Sequence, residues 1–172
     1  MEIVRCDESF SEPILAILNE AILNSTAIYD YQPRPLESMA AWFAGKRKGN
    51  FPVVGAVSGG GELLGFASYG VFRAWPAYKY SVEHSVYVAA PYRGKGIGKQ
   101  LLQRIIEEAE AQEYHVLIGG IDSQNAVSIA LHRVLGFHHA GTIRQAGFKF
   151  GRWLDLDLYQ LILKTPLSPV DG

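Results

Sequence analysis

The sequence predicts one α/β or α+β domain, a central sheet covered by helices. Three observations carry this. Runs with a two-residue apolar period and runs with a helical period follow one another, in the order strand, two helices, three strands, helix, strand, helix, two strands. The 172 residues suit a single domain, and nearly half are hydrophobic, enough for an ordinary core. No internal repeat, low-complexity tract or linker divides the chain, so residues 1–164 read as the domain. Residues 165–172, with Pro166 and Pro169, read as a loose tail.

Ile3 to Cys6 is an apolar opening strand. Phe10 to Leu23 sets Ile14, Leu15, Leu18, Ala21 and Ile22 at helical spacing, with Ser9 or Ser11 placed to cap it. A polar and aromatic loop, Asn24 to Pro35, leads to a second short helix, Leu36 to Lys46. Pro52 to Ser58 and Leu63 to Phe72 flank Gly59-Gly60-Gly61 as an antiparallel hairpin. The aromatic loop Arg73 to Tyr80 precedes a strand over Tyr80 to Ala89. Gly96 to Ala111 is an amphipathic helix, with Ile97, Leu101, Leu102, Ile105, Ile106 and Ala109 on one face. His115 to Gly120 is a strand, and Asn125 to Leu135 a helix stopped by Gly136. Phe137 to Arg144 and Trp153 to Leu163 are the closing strands.

Lysine plus arginine is 16 and aspartate plus glutamate 17, a net charge of -1. That balance gives no global positive field for nucleic acid or an anionic membrane, so neither is expected as a partner. No leader is visible, and no apolar run approaches the ~20 residues a membrane helix needs. A cytoplasmic protein is expected. Cys6, the single cysteine, allows no internal disulfide and no zinc ligand spacing. Its strand position suits a small buried residue better than a nucleophile. His138 and His139 face opposite ways on a strand and are poor co-ligands, so no metal is expected.

The chemistry concentrates at Pro91-Tyr92-Arg93-Gly94-Lys95-Gly96-Ile97-Gly98, between a strand and a helix. Glycine lets the backbone turn tightly and approach a ligand. The unpaired N–H groups of the helix's first turn, with the helix dipole, favour a phosphate or diphosphate there. Arg93, Lys95 and Lys99 add positive charge. Glycines at 94, 96 and 98 do not match the dinucleotide fingerprint, and no Walker loop is present.

The pattern Arg93-x-x-Gly96-x-Gly98, after Val86-Tyr87-Val88, resembles the diphosphate-binding motif of the GCN5-related N-acetyltransferases. Asn125 to Phe137, with Ser128, His132, Leu135 and Gly136, resembles that family's second acetyl-CoA helix. The resemblance covers nearly the whole chain. It implies the family fold, a mixed central sheet splayed between strands four and five with helices on both faces, and acetyl-CoA in the gap. Tyr80-Ser81-Val82-Glu83-His84-Ser85-Val86-Tyr87-Val88 resembles the phosphinothricin and methionine sulfoximine acetyltransferase subfamily. Asn24-Ser25-Thr26-Ala27 and Lys149 to Asp155 agree with it. The subfamily implies a homodimer that acetylates the α-amine of an L-amino-acid analogue.

On that resemblance, acetyl-CoA would be bound by Ser85, Val86, Tyr87, Val88, Arg93, Gly94, Lys95, Gly96, Ile97, Gly98, Asn125 and Ser128. The acceptor would meet Arg73, Ala74, Trp75, Val82, Glu83 and His84. An ammonium must lose a proton before it attacks a thioester, and Glu83 is the carboxylate placed to take it, directly or through water; it can equally only bind the ammonium. Main-chain N–H groups near Val86 to Val88 suit the oxygen that gains charge. His132 stands where many family members place a tyrosine that protonates the departing thiolate. Its range suits that transfer, and a structural, hydrogen-bonded histidine is the other reading. Asn125 serves either the pantetheine amides or the helix N-cap. An arginine fork at Arg73 matches the acceptor carboxylate. Trp75, Tyr78, Ile28, Tyr29 and Tyr31 would wall the pocket or pack elsewhere. Two other activities remain: a protein N-terminal or lysine acetyltransferase of the same fold, and an acetyl-CoA binding module without catalysis.

Overall fold

Period-two and helical patterns become seven strands and four α-helices in the computed structural model, which describes residues 1–172. β1 (Glu2–Arg5) leads through a 3-10 turn (Glu8–Phe10) into α1 (Ser11–Asn24) and α2 (Ser38–Lys48). β2 (Val53–Val57), β3 (Leu63–Val71) and β4 (Ser81–Val88) follow, then α3 (Ile97–Ala111), β5 (Val116–Asp122), α4 (Ala126–Val134), β6 (His138–Lys149) and β7 (Arg152–Ile162). The strands make one mixed sheet in the order β1-β2-β3-β4-β5-β7-β6.

Two local expectations are corrected. The cap before α1 comes from neither serine: Asp7 Oδ1 accepts the Ser9 N–H at 2.9 Å, and the α1 start has no side-chain cap. β6 runs on past Arg144 to Lys149. Register shifts between His139 and Gly141 and between Ile143 and Gly147 break its two-residue period, which hides the strand from pattern reading.

The chain packs as two compact units, Met1–Tyr69 with Ser85–Ile105, and Gly70–His84 with Ile106–Gly172, so the boundaries fall inside β3, β4 and α3. In the first unit, α1 buries Ile14, Leu15, Ile17, Leu18, Ala21 and Ile22. This stripe packs with Met39 and Phe43 of α2 and with Val53, Leu63 and Phe66 of the β2–β3 hairpin. β1 pairs with β2, and β2 with β3, antiparallel.

In the second unit, β5 pairs antiparallel with β7 from Val116↔Ile162 to Asp122↔Leu156, and β7 with β6. Val82, Leu117, Ile121, Phe137, Leu154 and Tyr159 are buried there. The parallel β4–β5 ladder runs only from Ser81↔Val116 to Glu83↔Ile118. β4 itself continues to Val88 and β5 to Asp122. The tail expected to be loose is tied at two points. Thr165 Oγ1 donates to the Tyr114 carbonyl at 2.5 Å, and the Tyr80 hydroxyl accepts the Val170 N–H at 3.1 Å. No helix is long and apolar enough to cross a membrane.

Candidate active site

The glycine-rich turn folds as its residues demand. A 3-10 turn over Ala90–Tyr92 is followed by Gly94 and Gly96 at φ of 78° and 79°, a left-handed conformation that side chains other than glycine resist. The first α3 bond runs from Gln100 N–H to the Gly96 carbonyl, so the N–H groups of Ile97, Gly98 and Lys99 precede the helical ladder. Beyond both glycine Cα atoms lies open space, as a cradle for a diphosphate requires. Arg93 lies apart from this cradle in one respect: its Nε donates to the Val88 carbonyl at 3.0 Å and its Nη2 to Glu20 at 2.5 Å. Its charge braces the turn against α1. Tyr92 is held by its hydroxyl on Glu62 at 2.7 Å, and Lys95 lies over the Tyr92 ring.

At the end of the β4–β5 ladder, Glu83 points outward while Val82 and His84 are buried at 1% and 5% exposure. Strand alternation puts those two side chains on the opposite face from Glu83. The side chains of Val82 and His84, which were expected at the acceptor, thus lie apart from the Glu83 carboxylate. Partial desolvation raises the Glu83 pKa, and the nearby Arg73 guanidinium pulls it back down. Arg73 belongs to an exposed loop and lies over the Phe72 ring at 5.2 Å; Ala74 and Trp75 are exposed beside it. Ile28 is buried in the α1–α2 core rather than available as a pocket wall.

His132, in α4, is 2% exposed. Its Nδ1 lies 2.7 Å from the Ser128 carbonyl and its Nε2 2.8 Å from His84 Nε2. Burial lowers the pKa of both rings. For His84 the drop is to about 3, with the His132 ring adding to it and the Ile118 backbone opposing it. Both His132 ring nitrogens thus have partners within the fold, the Ser128 carbonyl and His84. Asn125 Oδ1 accepts the Ser128 N–H at 3.1 Å, the N-cap geometry. Ser85 is exposed on the Glu83 side of β4, and Val86 to Val88 are half-buried. His139 bonds Asp157 and Thr142 within β6–β7, and no cluster of three His, Cys, Asp or Glu side chains forms a metal site. Burial, with the Asp7 charge, pushes the Cys6 thiol up to about 12, away from the range of a nucleophilic cysteine.

The model of the acetyltransferase (GNAT) family matches residues 16–137, more than half of the chain. The chain belongs to this family. An L-methionine sulfoximine/L-methionine sulfone acetyltransferase of Pseudomonas paraeruginosa is 50% identical over 155 residues, 90% of each chain. An L-amino acid N-acyltransferase of Escherichia coli is 40% identical, over 91% of this chain and 90% of that one. A GNAT superfamily phosphinothricin acetyltransferase from Sinorhizobium meliloti, solved in complex with acetyl-CoA, is 34% identical with a TM-score of 0.93, over 98% of this chain and 91% of that one. Like its GNAT relatives, the protein is an N-acetyltransferase, and acetyl-CoA is its cosubstrate.

Pattern reading missed three contributors to this GNAT site. Glu20 sits 73 residues from Arg93 and carried no local signal. Gly119 and Gly120 did carry one, since two glycines inside a strand mark a close approach. A Cβ on Gly119 would stand 2.9 Å from His84 Cε1, and one on Gly120 would stand 3.3 Å from Glu83 Oε1.

Proposed function

We propose that this GNAT enzyme acetylates the α-amine of a small L-amino-acid analogue of the methionine sulfoximine, methionine sulfone or phosphinothricin type. The observation that carries it is the pairing of Glu83 with Arg73, a carboxylate and a guanidinium within electrostatic reach of one another. An amino acid offers the complementary pair, an ammonium and a carboxylate. The names of the relatives support the same acceptor class.

In this reading the turn from Arg93 to Gly98 holds the coenzyme's diphosphate through main-chain N–H groups. The β4 main chain over Ser85, Val86, Tyr87 and Val88, past the last β5 rung, receives the pantetheine arm. Asn125 and Ser128, at the start of α4, carry groups that can hydrogen-bond its amides. Glu83 takes the amine proton, directly or through water, as nitrogen attacks the thioester carbonyl. A main-chain N–H near Val86 to Val88 stabilises the oxygen that gains charge. The C–S bond then breaks, and the CoA thiolate takes its proton from water. The enzyme works in the cytoplasm as a homodimer, with no metal.

Purified protein with acetyl-CoA and methionine sulfoximine should release CoA, and Glu83→Gln should lower kcat by about 10²–10⁴-fold with coenzyme affinity unchanged. CoA release with protein N-termini or lysine peptides, but with no amino-acid analogue in a broad panel, would transfer the reading to a protein acetyltransferase. No release with any amine would leave a binding module.

A further inference from the structure

His84 and His132 are the two buried histidines of the chain, and their hydrogen bonds assign their protons. The Ser128 carbonyl can only accept, so neutral His132 carries its hydrogen on Nδ1 and offers a lone pair on Nε2. His84 Nε2, 2.8 Å from that lone pair, must then carry a hydrogen of its own. His84 Nδ1 is buried without a hydrogen bond of normal geometry, and the Ile118 backbone is the polar group that acts on this ring. The bonds run one way, from His84 to His132 to a main-chain carbonyl, and a carbonyl cannot hand a proton on.

The packing around the pair keeps it uncharged. Phe137 lies 5.2 Å from the His84 ring and 5.1 Å from the His132 ring, and Tyr159 lies 6.5 Å from His132. Beyond them Arg133 and His139 lie against the Tyr159 ring, and the nearest anion on that side, Asp157, is bonded by His139 and Thr142. Location gives the pair its task. Glu83↔Ile118 is the last rung of β4 on β5, and His84 is the next residue. In place of another rung, its side chain crosses Gly119 to α4. Gly119 thus faces the imidazoles and Gly120 faces the Glu83 carboxylate.

We infer that His84 and His132 are positioning residues: their one-way hydrogen bond takes over where the β4–β5 ladder ends, keeps the Glu83 carboxylate beside Gly120, and passes no proton during turnover. The inference rests on the reading of Glu83 as the base, and its test separates the two. Heteronuclear imidazole spectra of the unmodified protein between about pH 5 and about pH 9 should show His132 as the Nδ1–H tautomer and His84 as the Nε2–H tautomer, with neither titrating. Titration of either ring in that range overturns the inference, whatever Glu83 does. His132→Gln keeps an acceptor for His84 but cannot shuttle a proton, so kcat should stay within about fivefold and the pH–rate profile should not move. His132→Leu should lower kcat by about tenfold or more and shift the acidic limb. An equal fall in both variants, with loss of an alkaline limb, would make His132 a proton donor and overturn the inference. If instead Glu83→Gln retained the acidic limb, the base assignment would fail while the spectra still decided the pair.

Discussion

Arg73 and Glu83 pull against each other, and the direction of each effect is fixed by charge. Desolvation favours the neutral carboxyl of Glu83, and the guanidinium favours the carboxylate. A base must be ionised to act, so the acidic limb of kcat/KM should lie above the ordinary carboxylate range. Removing the cation leaves desolvation unopposed. Arg73→Met should therefore move that limb to higher pH, and it should raise KM for an amino-acid acceptor by about tenfold or more as the carboxylate loses its partner. A pH series of initial rates on parent and variant checks both; a limb that moves to lower pH would show that Arg73 does not act on Glu83.

Strand β5 is the element whose sequence is least free. A methyl group at Gly119 would meet both imidazoles, at 2.9 Å and 3.1 Å. Gly119→Ala should cost about 1–3 kcal/mol in a urea melt, with turnover falling at temperatures where the variant is still folded. Unchanged stability would mean that the rings simply move aside. The same strand shows what a sequence reveals. Two glycines in an apolar run announce a close approach but not what approaches, because the partners, His84 and His132, lie 35 residues before and 13 after Gly119. The turn at Gly94 and Gly96 and the apolar face of α3 were legible, since each depends on neighbours in the chain. The pairing of Arg93 with Glu20 was not. Strand alternation was legible too: it turns the Val82 and His84 side chains to the face opposite Glu83.

Across the whole molecule, the β6–β7 hairpin presents Phe148 and Trp153, edge to face at 5.1 Å, with Ile143 and Phe150 also exposed. Such rings suit the proposed homodimer contact. Sedimentation should give twice the chain mass of 19.0 kDa, and the double change Phe148→Glu with Trp153→Glu should give the single mass. A parent that sediments as one chain would end the homodimer reading. Each turnover also frees a thiol, CoA, beside a protein with a single cysteine. With the Cys6 thiol pushed up to about 12, only on the order of one molecule in a hundred thousand holds its thiolate at neutral pH. Capture of the coenzyme's oxidised disulfide form at Cys6 should therefore be slow, which intact mass after incubation with that disulfide checks.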